Sequence, residues 1–143
     1  MIYFIKLNVV SILYALLIFL PIELMVNIYR ISRITRWNID TVNILSGVII
    51  VVGLIFGTMV QLFFTKRWMK GRKANFWTIV FWIPYLVLFV YIIASLFPTT
   101  YGGDVPNPGT GILVIGALII FPIYILIINL IGYKNEDRTS ITT

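Results

Sequence analysis

The chain has 143 residues, 60% of them hydrophobic and only 11% charged, with a formal net charge of +6. A soluble domain carries about 25% charged residues, and a short one leaves much of its surface in water; a mean hydropathy of +1.01 therefore excludes a compact soluble fold. The absence of His and Cys removes the commonest general base, the usual metal ligands, the thiol nucleophile and any disulfide.

Four apolar segments follow in chain order, about 7–29, 44–64, 76–97 and 111–131. Each has about 20 residues or more, which at ~1.5 Å per residue matches a hydrocarbon core of ~30 Å. Lipid cannot satisfy an open backbone, so each segment must be a helix, and none alternates as a barrel strand does. The first is too long for a signal-peptide core and lacks a small-x-small cleavage site, so it reads as a retained span. The predicted fold is all-α: a polytopic integral membrane protein with four transmembrane helices in a compact up-down bundle. Residues 1–143 form a single four-helix transmembrane domain, with 132–143 as a polar tail.

Within the first span lies Glu23, about six residues or ~9 Å inside its end. Ionisable groups inside a span are costly and face a bundle interior, a cavity or a partner. Asn27 and Arg30 follow at i+4 and i+7, so the spacing predicts a polar ladder Glu23–Asn27–Arg30 on one face. It reads either as an ion, proton or docking site or, more simply, as a satisfied patch near the headgroups. Arg30, Arg33 and Arg36 or Trp37 continue the helical spacing into loop one, which predicts an amphipathic extension that binds headgroups first, or else an acidic partner segment.

The second span carries Gly53-Leu54-Ile55-Phe56-Gly57, a G-x-x-x-G that lets another helix approach closely. It serves either packing within the bundle or homodimerisation. Loop two then gathers Lys66, Arg67, Lys70, Arg72 and Lys73 among Trp68 and Trp77. Nucleic-acid binders mix such residues too, but beside two spans the pattern reads as contact with anionic lipid headgroups or with a partner.

The third and fourth spans contain Pro84 and Pro122, and the first Pro21; each removes one helical hydrogen bond, and kinks are the plainer reading. In loop three, Asp104 is expected to be solvated and Thr110 to cap the last helix. Asn8, Gln61 and Asn129, with Tyr14, Tyr85, Tyr91 and Tyr124, are candidates for hydrogen bonds between helices.

Counting Lys and Arg places Lys6, the five cations of loop two, Lys134 and Arg138 on one side, eight against the three arginines of loop one. Both termini are then expected in the cytoplasm, in a bacterial cytoplasmic membrane. Loops this short hold no soluble active site, and no nucleophile–base pair or metal cluster is evident. The expectation is a non-enzymatic protein without cofactor or nucleic-acid ligand. It acts through helix contacts as an accessory subunit of a membrane complex or an immunity-type partner, or as a homo-oligomer. An oligomeric channel is the alternative, and a lipid-modifying enzyme is a weaker third.

Overall fold

Apolar sequence written in runs of 20 or more residues has one way to meet lipid, and the computed structural model adopts it. It describes the backbone of residues 1–70 and 72–141, with side chains as far as Tyr133. The side chains of Lys134, Glu136, Asp137 and Arg138 lie outside the described residues. All regular structure among the described residues is helical: α1 (Ile2–Val26), α2 (Ile28–Thr35), α3 (Ile39–Phe63), α4 (Thr78–Leu96) and α5 (Pro108–Ile141). A π-helical turn, Phe64–Trp68, extends α3, and a 3-10 turn, Lys73–Trp77, leads into α4. Four helices are long and apolar enough to cross a membrane, ending at Val26, Trp68, Leu96 and Tyr133.

The helix ends differ from the hydropathy bounds. α1 starts at Ile2 and breaks at Asn27, where α2 begins. Loop one, predicted over 30–43, is mostly helix: only 36–38 separate α2 from α3. Arg36 stops α2 in a left-handed conformation (φ 58), and Asn38 restarts the chain by accepting the Asp40 amide at 3.0 Å. Asp40 in the first turn suits the positive end of the helix dipole. Thr110 is not the cap of α5. Asn107 accepts the Gly109 amide at 2.8 Å, and Pro108 takes the first helical position, where a missing N–H costs nothing. α5 also runs ten residues beyond the predicted end of its span, through most of the tail.

α1 is the hub. It touches α3, α4 and α5, and 39% of its apolar window is buried against 6% for α3. Its inward stripe, Leu7, Val10, Tyr14, Ile18 and Ile22, meets Trp82, Leu86, Phe121 and Ile125 in one core. Tyr14 lies edge-on to Phe121 and Tyr124, and Phe19 against Phe89 at 5.6 Å. The other helices turn broad apolar faces outward, the arrangement a lipid solvent permits.

Candidate functional site

The polar groups fall into three layers along the bundle. At the end holding α2 and loop three, Asn27 Nδ2 donates to Glu23 Oε2 and to the Glu23 carbonyl, both at 2.9 Å. The first rung of the predicted ladder therefore forms. The second does not: the break at Asn27 turns Arg30 away, and it donates to the carbonyls of Phe97 and Pro98 at 3.1 and 2.9 Å. Its Nε lies 3.5 Å from Asp104.

Asp104 is not solvated; it is 4% exposed. Arg33 grips it with both arms, Nε to Oδ1 at 2.9 Å and Nη2 to Oδ2 at 2.7 Å, and lies 5.0 Å from the Tyr101 ring centroid. Two-armed pairing of this kind is the strong, directional form of the arginine–carboxylate contact. The Arg33 hydrogen bonds hold the Asp104 carboxyl below the usual carboxylate range, and Asp104 raises Arg33 in turn. The expected headgroup or partner contact of the arginine row is thus replaced, for Arg30 and Arg33, by Asp104 in this chain's own loop three, 71 residues from Arg33.

The middle layer is apolar. From Ala15 to Ile22, α1 presents eight apolar residues in succession, ~12 Å of helix. Beside it, α1 and α3 leave a groove open to the membrane, with cavities of about 100 and 240 Å³ along Leu17, Leu20, Gly53, Phe56 and Gly57. The two glycines differ. A side chain at Gly57 would strike Leu17 of α1, so this glycine serves packing within the bundle, whereas at Gly53 a Cβ meets nothing within 4 Å.

The third layer is a buried polar cluster at the loop-two end. Tyr14, Gln61, Thr65, Asn75, Thr78 and Asn129 are all buried to within 1%. Asn129 Nδ2 donates to Thr78 Oγ1 at 2.9 Å and to the Asn75 carbonyl at 3.2 Å, and Tyr3 donates to Asn75 Oδ1. Thr58 and Tyr124 share a 2.8 Å hydrogen bond one turn farther in. Six atoms find no partner among the described residues: Tyr14 Oη, both Gln61 amide atoms, Thr65 Oγ1, Asn75 Nδ2 and Asn129 Oδ1. Thr65 packs against Gly132, where a Cβ would come within 2.6 Å. Of this cluster the sequence nominated Tyr14, Gln61 and Asn129. Thr65 and Asn75 passed for loop residues because hydropathy falls there. The findable signal was Thr58, Gln61 and Thr65, spaced one turn apart on one face.

Loop two lies over this cluster. Lys6 of α1 donates to the Trp68 carbonyl at 3.2 Å and sits 5.4 Å from that ring. Arg67 lies over Phe63 and Arg72 over Tyr3, at 5.8 and 5.3 Å. Of the predicted site residues, the structure thus joins Glu23 with Asn27, and brings Lys70 and Arg72 around one cavity, where Lys6, not among them, adds a third cation. Arg30 goes to loop three, and Lys66, Arg67 and Lys73 stay outside that cavity.

The chain matches no protein-family profile, no curated protein and no solved structure.

Proposed function

We propose that this is a non-enzymatic membrane protein that works by helix–helix contact, as an accessory subunit of a membrane complex or an immunity-type partner. The observation that carries this reading is the open slot over Gly53. Small residues let helix backbones approach closely, and bundles consume such positions internally, as Gly57 is consumed by Leu17. Gly53, one turn away, faces a groove that no described residue fills. A transmembrane helix of a partner laid along α3 fits that slot. The test is co-purification from native membranes in mild detergent, comparing wild type with Gly53→Leu. The variant has room to fold, so it is expected to remain monodisperse and to lose a stoichiometric partner that wild type retains. Equal recovery of that partner with both proteins would sink the reading.

The seat proposed is a bacterial cytoplasmic membrane with both termini inside. Lys6, Lys66, Arg67, Lys70, Arg72 and Lys73 share one end of the bundle, six cations against Arg30, Arg33 and Arg36 at the other. That asymmetry supports a cytoplasmic loop two. Diffuse attraction of anionic headgroups to Lys66, Arg67 and Lys73 accompanies it.

A second reading, an oligomeric channel, draws on the buried polar cluster. Along the run Ala15–Ile22, α1 offers no polar side chain to line a path, so a channel would be lined by the other helices or lie between copies. Conductance of liposomes holding the purified protein separates the two: the contact reading expects a flat trace, and discrete openings would favour the channel.

A further inference from the structure

We propose that the cavity between the first turns of α1 and loop two is a binding site for one phosphate group, carried by an anionic phospholipid headgroup or present as free phosphate. The cavity measures about 220 Å³, and Tyr3, Lys6, Trp68, Lys70 and Arg72 line it. That is several times the ~30 Å³ share of one water, enough for a phosphate with part of its hydration.

Three cations reach it, Lys6 from α1 and Lys70 and Arg72 from loop two, and none is held by a carboxylate among the described residues, whose ion pairs lie at the opposite end of the bundle. Aromatic rings hold two of them instead, Lys6 and Arg72. Lys6 stands over Trp68 and spends one N–H on the Trp68 carbonyl; an ammonium has three donors, so two remain. Arg72 lies over Tyr3, and Tyr3 is itself anchored by its hydroxyl to Asn75. A guanidinium stacked in this way keeps its in-plane fork for an oxyanion, which it matches with paired N–H groups. Tryptophan and tyrosine at a helix end mark the depth of the headgroups, so the cavity opens where lipid phosphates lie.

This site differs from a diffuse basic surface, because Lys66, Arg67 and Lys73 carry equal charge but stand outside it. It rests on loop two facing a membrane surface and does not depend on the contact proposed at Gly53. The test is native mass spectrometry of the full chain in detergent, titrated with phosphatidylglycerol, with phosphatidylcholine of the same chains, and with inorganic phosphate. Wild type is expected to retain one phosphatidylglycerol in preference to phosphatidylcholine. Lys6→Gln and Arg72→Gln should each weaken retention about fivefold, and Lys66→Gln/Arg67→Gln by less than about twofold. Lys6→Arg, which keeps the charge, should retain the lipid; its failure alongside Lys6→Gln would mark Lys6 as structural and overturn the site. Weakening by the outer double variant equal to that by either inner variant would also overturn it, leaving only diffuse attraction. If inorganic phosphate binds alone and displaces the lipid, the site stands and its ligand is soluble phosphate; if it does not, the ligand is the headgroup. Gly53→Leu should leave lipid retention unchanged, which separates this proposal from the contact reading.

Discussion

Two arginines one turn apart converge on Asp104, and the titration of that carboxylate follows from them. Its folded pKa lies below the unfolded one because Arg33 hydrogen-bonds the charged form. The stabilisation is therefore complete above the unfolded carboxylate range and disappears as pH falls through the lower, folded value. Thermal melts in detergent should show wild type above Asp104→Asn by a margin that is constant from about pH 7 to 5 and shrinks below about pH 3.5. A margin that grows on acidification would contradict this assignment. Gln61 presents the opposite case, a buried amide with neither atom partnered. Replacing an unpaired polar group by an apolar one of similar size is neutral or stabilising, so Gln61→Leu should change stability by between 0 and about +1 kcal/mol in the same melts. A loss of more than about 2 kcal/mol would show that the amide has a partner. Local spacing made the Glu23–Asn27 rung readable, since Asn27 caps the helix that carries Glu23, one turn on. The Arg33–Asp104 pair joins residues 71 apart, and no periodicity reports such a contact.

At the scale of elements, hydropathy located every crossing but misplaced the ends, because it measures lipid preference and helices stop where caps stop them. Asn38 and Asn107 each accept an amide two residues on; the polar stretch around Asn38 is largely helical despite its composition, whereas 97–107 holds only a short 3-10 turn before α5. Asn107→Ala should therefore cost about 1 kcal/mol of stability. Thr110→Ala, at the position expected to cap, should cost less than about 0.5 kcal/mol. Equal losses would return the cap to Thr110. The buried cluster was hidden for the same reason: Thr65 and Asn75 sit where hydropathy falls, yet the π-helical and 3-10 turns carry both into the interior. Polar composition near a span end does not distinguish a solvated loop from a folded-in one.

For the whole molecule, charge asymmetry and the unfilled groove carry the argument. The chain contains no cysteine, so single cysteines at Val105 and Lys66 report sidedness cleanly. Val105→Cys should react with an impermeant maleimide in intact cells, and Lys66→Cys only after permeabilisation; the reverse pattern would invert the orientation. The bundle uses α1 on nearly every side and α3 on one, and the Gly53 side of α3 is the surface we propose for a partner. Site-specific photo-crosslinking in native membranes tests that most directly. A photoreactive residue at Phe56, exposed beside the groove, is expected to yield one discrete protein adduct, while one at Ile120, equally exposed on α5, yields lipid adducts alone. Lipid adducts from both positions, or the same protein adduct from both, would contradict a contact seated at Gly53.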